Sequence, residues 1–198
     1  MVTSARQHLP ERTDRELVTA AREGDAEAFG LLVRRHQKRV YRLAVHLLKS
    51  GAEAEDVTQD TFVRAYSHLD QYDDNRPFYP WLAAIAVRLS QNWLHRHSRT
   101  TRREGTALDA APEPLADAGV LRSLIASERD RQLWQAVAAL PSGERTAVLL
   151  YYREEMPVRD VAEALGVTTG TVKTLLFRAR RHLHARLEAE DSIQEMRP

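Results

Sequence analysis

The chain has no cysteine. Disulfides, thiolate zinc sites and cysteine redox sensing are therefore excluded. Lysine is scarce as well: it stands only at positions 38, 49 and 173, and the other cationic side chains are arginine. Arginine suits phosphate and guanine contacts better than lysine, because its planar fork bonds bidentately. No apolar run approaches the length of a membrane span, so membrane insertion is not expected. The opening stretch MVTSARQHLPERTDRE is polar and charged and holds no signal-peptide core. A cytoplasmic protein is the simplest expectation. There is no strand alternation, no internal repeat, no nucleotide-binding loop, no HExxH and no nucleophile motif. The paired histidines His95 and His97 lack the spacing of metal ligands on one helical face, and no carboxylate joins them. No cofactor or metal is expected.

What remains is helical and segregated in charge. The chain is 198 residues long with a net charge of only +1, room for one domain or two small ones. Residues 156–187, MPVRDVAEALGVTTGTVKTLLFRARRHLHARL, read as two helices joined by a tight turn. Val158, Val161, Ala162 and Leu165 share one face at helical spacing. Gly166 follows, where a helix end wants a residue free to take positive φ. Thr168 or Thr169 can cap the next helix, whose buried stripe is Val172, Leu176, Ala179 and Leu183. Its other face carries Lys173, Thr174, Phe177, Arg178 and Arg181. Between 168 and 187 the cations are Lys173, Arg178, Arg180, Arg181 and Arg186, and there is no acid. This is the electrostatics of a helix-turn-helix whose second helix reads a major groove. The plain alternative is a helical hairpin with a solvated basic face.

Before this motif the chain divides in two. Residues 1–13 look like a loose arm. Asp14 can cap a first helix ending at Gly24, and Asp25 a second, long one with Phe29, Leu32, Val33, Val40, Leu43, Ala44 and Leu47 inward. Its outer face, Arg34, Arg35, Lys38, Arg39 and Arg42, is basic, fit for a nucleic-acid backbone or simply solvated. A third helix turns Val57, Thr61, Phe62, Ala65 and Leu69 inward. Glu53, Glu55, Asp56, Gln59 and Asp60 gather in its first half, where acids favour a helix N-terminus; an acidic docking face is the functional alternative. The loop DQYDDNRPFYP is turn-rich yet aromatic, with Tyr72, Phe78 and Tyr79, and Trp81 just after. Such aromatics can stack single-stranded bases, or plug the core, the preferred role for Phe78 and Trp81. Pro80 is placed to start a fourth helix, with Leu82, Ile85, Ala86, Leu89 and Trp93 inward and Arg88, Asn92, His95, Arg96 and Arg99 outward.

Residues 104–118, EGTALDAAPEPLADA, have acids and no base. With their alanines and prolines they read as a flexible acidic linker and a domain boundary, placed at 100–126. A second domain, 127–187, would hold two more helices before the helix-turn-helix. The first presents Leu133, Val137 and Leu140. The second, capped by Ser142, buries Val148, Leu149 and Tyr152. Glu154 and Glu155 read as solvent-facing acids. The tail, 188–198, is expected to fray. The fold class is thus all-α: two small helical domains on a flexible acidic linker, the second ending in a helix-turn-helix.

In this order and spacing, DAEAFGLLVRRHQKRVYRLA, AEDVTQDTFVRAY, RPFYPWLAAIA, ALPSGERTAVLLYY and TGTVKTLLFRAR resemble the extracytoplasmic-function (ECF) sigma factors of the sigma-70 family, over nearly all of residues 14–187. The resemblance implies a transcription initiation factor without enzymatic activity of its own. Residues 14–99 would bind the clamp helices of core RNA polymerase and melt the promoter −10 element, with Asp56, Gln59, Asp60 and Arg64 as the clamp contact. Tyr72, Arg76, Phe78 and Tyr79 would form a pocket for a flipped-out non-template base, and Arg88, Asn92 and Arg96 would line the strand path. Residues 127–187 would meet the polymerase flap and read the −35 element of promoter DNA through Thr169, Gly170, Thr171, Lys173, Thr174, Phe177, Arg178 and Arg181. The linker would thread the polymerase cleft and RNA exit path. An anti-sigma protein would occlude the polymerase-binding faces. Two positions depart from the family pattern: Arg88 where it has asparagine, and Leu175 where it has a basic residue. The competing functions are a stand-alone helix-turn-helix regulator, which would need no acidic helix followed by an aromatic loop, and an enzyme, for which the motifs are missing.

Overall fold

The computed structural model describes residues 12–104 and 128–195. Residues 1–11 of the expected arm, residues 105–126 of the expected linker, residue 127, with which the second domain was expected to begin, and residues 196–198 lie outside them. The described residues are all-α, with no strand among them. They form α1 (Asp14–Arg22), α2 (Ala26–Leu48), α3 (Gly51–Ser67), a single 3-10 turn (Leu69–Gln71) and α4 (Phe78–Glu104), then α5 (Glu128–Ala138), α6 (Ser142–Val148), a π-type turn (Leu149–Arg153), α7 (Val158–Leu165) and α8 (Thr169–Glu195).

The helix ends follow local chemistry. Thr13, rather than Asp14, caps α1: its hydroxyl accepts from the Glu16 N–H at 3.3 Å, and the Glu16 carboxylate accepts from the Thr13 N–H at 2.6 Å. Asp14 becomes the first helical residue, where a carboxylate favours the N-terminal dipole. Asp25 caps α2 as expected, accepting from the Ala28 N–H at 3.0 Å. Pro141, not Ser142, is the N-cap of α6, and Pro80 lies in the first turn of α4 rather than at its start. Gly166 ends α7 in the left-handed region at φ 66°, and Thr168 caps α8, accepting from the Thr171 N–H at 3.2 Å. α8 continues to Glu195, so most of the tail expected to fray is helical.

The residues expected inward here are buried: Val57, Thr61, Phe62 and Ala65 in α3, and Leu69 in the 3-10 turn after it. In α8, Val172, Leu176 and Ala179 are buried and Leu183 half-buried. Tyr152, expected inside, is half exposed, because the π-type turn widens the backbone after Val148 and rotates the following side chains; Leu133, on α5, lies at the surface as well. Two residues past the turn, Glu155 takes the left-handed region, φ 53°. Glu154 thereby points back toward the first four helices instead of into solvent.

α1 to α4 form one packed unit and α5 to α8 another, yet a single apolar core runs through both. It includes Leu17, Leu32, Leu43, Phe78 and Leu82 from the first and Leu149, Leu150, Val161 and Val172 from the second. α4 lies along α7, and α2 touches α6. The two units are therefore closed upon one another. No helix among the described residues is long and apolar enough to cross a membrane.

Candidate nucleic-acid interface

One face of α8 is open to solvent from Thr169 to Arg181. Thr169, Gly170, Thr171, Lys173, Thr174, Phe177, Arg178 and Arg181 are all exposed. Phe177 is 56% exposed, a large apolar side chain held among cations rather than in the core. A Cβ at Gly170 would meet nothing closer than the Thr168 hydroxyl at 3.7 Å. The fold itself leaves room for a side chain at that position. Glycine in a helix is unfavourable by up to about 1 kcal/mol against alanine, so its use fits a close approach from outside. The α8 N-terminus also points N–H groups outward, a ready anion site. Leu175 is half-buried against the core, close to Gly143, so no cation projects there. Behind the face, Glu144 is buried and meets His182 Nδ1 at 2.7 Å.

A second surface lies between α2 and α3. A groove of about 890 Å³ is floored by Phe29, Val33, Tyr41 and Phe62 and edged by Val63 and Tyr66. Val63 is 58% and Tyr66 50% exposed. Gln59 lines the groove, and Asp56, Asp60 and Arg64 stand exposed on the same helix at helical spacing. The sequence marks Phe29 and Val33 only as inward-facing; in the structure they are half-buried and front this groove. Val63 and Tyr66, exposed apolar residues beside α3's acids, are the signal by which it could have been found.

The loop between α3 and α4 behaves differently. Tyr72, Phe78 and Tyr79 are all buried; Tyr72 and Phe78 pack edge to face and both lie tilted against Trp81, with ring centroids 5.2 to 5.6 Å apart. The Tyr72 hydroxyl donates to the Arg76 carbonyl and closes the loop. Arg22 ties the loop from below, donating to the Leu69 and Tyr72 carbonyls and to Asp74. Tyr79 donates its hydroxyl to Glu154 Oε2 at 2.8 Å, and the Arg39 guanidinium lies 3.6 Å over its ring. Burial, then the Glu154 carboxylate, pushes the Tyr79 phenol well above its ordinary value. Arg76 bonds Glu163 at 2.7 Å and Asp160 at 2.8 Å. Hydrogen bonding to Glu163 leads the upward shift of its guanidinium. Past the loop, Arg88, Asn92 and Arg96 are exposed along one stripe of α4, four residues apart.

Two members of the basic face expected on α2, Arg35 and Arg39, are engaged within the chain. Arg35 pairs with Asp14 at 2.5 Å, and His36 meets the other Asp14 oxygen at 2.8 Å. Burial raises the Asp14 carboxyl, but hydrogen bonds from His36 and Arg35 outweigh it and hold the group below its ordinary value. Arg39 donates to Glu154 at 2.6 Å. The residues missed by the sequence are thus the acids of the second unit, Glu154, Asp160 and Glu163. Their partners lie 75 to 115 positions away, and no local pattern announces such pairs.

The chain has relatives among known proteins. Residues 32–100 match Sigma-70 region 2 and residues 130–183 match Sigma-70, region 4. The RNA polymerase sigma-H factor of Pseudomonas aeruginosa is 32% identical over 186 residues, 91% of this chain and 96% of that protein. The ECF RNA polymerase sigma-E factor of Escherichia coli is 34% identical over 176 residues, 85% of this chain and 91% of that protein. The structure of CnrH in complex with the cytosolic domain of CnrY is similar with a TM-score of 0.63 and 27% identity, covering 89% of this chain and 97% of that one. The chain belongs to the sigma-70 family, among its ECF RNA polymerase sigma factors.

Proposed function

We propose that this protein binds core RNA polymerase in the cytoplasm and directs it to promoters, reading −35 DNA as duplex and −10 DNA as a melted strand. The chemistry of RNA synthesis belongs to the polymerase. The observation that carries the −35 role is the α8 face: exposed from Thr169 to Arg181, with cations and no acid, and with Phe177 held in the open. Lys173 and Arg178 read base edges, where a bidentate guanidinium discriminates best. Thr169, Thr171 and the N–H groups beside Gly170 hold phosphate and fix the register. Thr174 and Phe177 add contact area, and Arg181 adds a phosphate contact.

On the first unit, taken as 14–99, Tyr72, Arg76, Phe78 and Tyr79 build the pocket that receives a flipped −10 base. Tyr72 and Phe78 form its rigid wall, while Tyr79 and Arg76 supply the polar contacts. Flipping carries an unstacking cost on the order of a few kcal/mol, recovered by stacking in the pocket. Arg88, Asn92 and Arg96 guide the strand along α4. The α2–α3 groove, with Asp56, Gln59, Asp60 and Arg64 beside it, takes the polymerase clamp helices: an apolar trough with a charged border suits an amphipathic helix. The second unit, taken as 127–187, meets the polymerase flap. An anti-sigma protein covering these faces supplies the regulation.

The deciding experiment is in vitro transcription from sheared genomic DNA with purified protein and core RNA polymerase, followed by sequencing of transcript 5′ ends. New start sites sharing a −35 and a −10 motif are the expected result. No new starts, with tight duplex binding in the absence of polymerase, would make the chain a stand-alone regulator instead.

A further inference from the structure

Glu144, in the first turn of α6, is only 6% exposed, and its Oε2 meets His182 Nδ1 at 2.7 Å. A buried carboxylate is costly unless something donates to it. An ionised carboxylate only accepts, so Nδ1 carries the hydrogen. The other ring nitrogen, Nε2, then holds a lone pair while the ring is neutral. The His182 side chain is 57% exposed. It stands one turn beyond Arg178, about 6 Å further along α8, on the stripe that carries Thr171, Thr174 and Arg178. Beside it lies an open cleft of about 460 Å³, lined by Glu144, Arg178, Arg181, His182 and Ala185. Glu144 is the acid that α6 turns to the ring; its neighbour Arg145 reaches away to the Leu47 carbonyl. α5 and α7 supply none of the described lining residues, and Arg186 follows one turn on along α8. The cleft is thus cationic, backed by one buried acid. It lies where a helix that reads bases with its N-terminal residues passes the bordering backbone.

We propose that His182 is a proton-coupled phosphate contact of the −35 reader, and that Glu144 is the residue that sets it. The inference rests on the assignment of α8 as that reader. A phosphate oxygen is itself an acceptor, so it cannot bond Nε2 while that nitrogen holds a lone pair. Contact requires a proton, taken from solvent, on Nε2. The resulting imidazolium donates inward to Glu144 and outward to phosphate. A neutral ring cannot evade this by moving its hydrogen to Nε2, because Nδ1 would then set a lone pair against the carboxylate. A ring proton and the Arg178 and Arg181 guanidiniums repel one another, and a phosphate in the cleft removes that repulsion. Duplex binding and proton uptake therefore favour each other. Affinity for the −35 element falls as the pH rises through the range in which histidine titrates. Glu144 is a positioning residue: it acts by fixing which nitrogen points out, as the partners of metal-binding histidines do.

The test uses holoenzymes of the full chain and a short duplex that carries the −35 motif found by transcript mapping and stops before the −10 element. Affinity is measured against salt at pH 6 and pH 8 for the parent, His182→Gln and His182→Arg. One added phosphate contact steepens the salt dependence by about 0.9 in slope, which is roughly fivefold to tenfold in affinity at about 0.1 M salt. The parent should show that steepening on going from pH 8 to pH 6. His182→Gln can still donate to Glu144 but cannot take up a proton, and should keep the shallow slope at both values. His182→Arg should keep the steep slope at both. Titrations of the polymerase are common to all three and cancel in the comparison. Glu144→Gln should flatten the parent's pH profile, since an amide can donate to Nδ1 and let the neutral ring turn an N–H outward. Equal slopes for the parent at the two pH values, or the same change in His182→Gln, overturn the phosphate contact. A Glu144→Gln profile like the parent's overturns the positioning role. If holoenzyme carrying Arg178→Ala binds the duplex as the parent does at both pH values, the −35 assignment fails, and this proposal with it.

Discussion

At the seam between the two units, His46 of α2 stacks on Trp134 of α5, with ring centroids 5.4 Å apart and planes within 26° of each other. The Arg153 guanidinium lies 4.7 Å from the same indole. Arg42 from α2, Arg145 from α6 and Arg153 from the π-type turn add cationic field to the site. Burial first, then these arginines, lowers the His46 pKa from 6.5 to about 4. The imidazole is therefore neutral when folded and must lose any proton it carries when unfolded. A depressed histidine leaves stability intact above pH 6.5 and removes it as the pH falls toward 4. Integrated between those values, the loss amounts to about 2 kcal/mol by pH 5, against almost nothing at pH 7.5. His46→Phe keeps a ring on Trp134 and removes the titration. Urea unfolding followed by circular dichroism at pH 7.5, 6 and 5 should show the variant gaining on the parent by about 2 kcal/mol between the two extremes. Other acids titrate in both proteins and cancel in the difference. Parallel pH profiles for the two would refute the argument and place His46 in a wetter, less cationic environment.

The remaining expectations concern single residues. Arg178→Ala should weaken binding to a −35 duplex by about 1–3 kcal/mol and relax the preference at one base position; unchanged promoter choice would remove its reading role. Asp60→Arg should abolish holoenzyme formation on gel filtration while leaving the circular dichroism spectrum unchanged, and an intact holoenzyme would count against the clamp assignment. Arg88→Asn should alter the base preferred in the −10 element, so identical profiles across a randomised −10 library would make Arg88 a bystander. Thr13→Ala removes half of a reciprocal cap and should lower stability by about 1 kcal/mol in urea unfolding; no change would mean that Glu16 alone satisfies that helix end.

Periodicity reveals much of this molecule because its helices are amphipathic and each buries one stripe. The stripes Val172–Leu176–Ala179 and Val57–Phe62–Ala65 are legible for that reason, as are the turn at Gly166 and the cap at Asp25. The exposed face of α8 is legible too, since whatever is not in the stripe must face out. What escapes is pairing over distance. Arg39 and Arg35 look like members of one solvated basic face, and nothing beside them in the chain shows that acids 115 and 21 positions away will claim them. Glu154 looks like half of an exposed acidic pair because a regular helix would place it there. One wide turn at Leu149–Arg153 changes its direction, and a π-type turn has no strong local signature.

The composition of the seam bears on how the protein can work. Arg145 reaches across it to the Leu47 carbonyl at 3.0 Å, its Nε is buried without a partner, and burial lowers its pKa. His46 is held neutral among arginines, and Glu154 is almost wholly enclosed. Each of these groups loses hydration on closing, and buried ion pairs recover little of that loss when compared with apolar packing. A seam meant to be permanent would do better with leucine at all three positions. The apolar contacts of α4 with α7 hold the units together, while the polar groups on either side offset much of that gain. By this reasoning the closed form is favoured by a modest margin only. A double substitution that converts Arg39 and Glu154 to Met and Leu should therefore raise the stability of the closed chain and at the same time impair promoter opening. A variant more stable yet fully active would show that the units need not part.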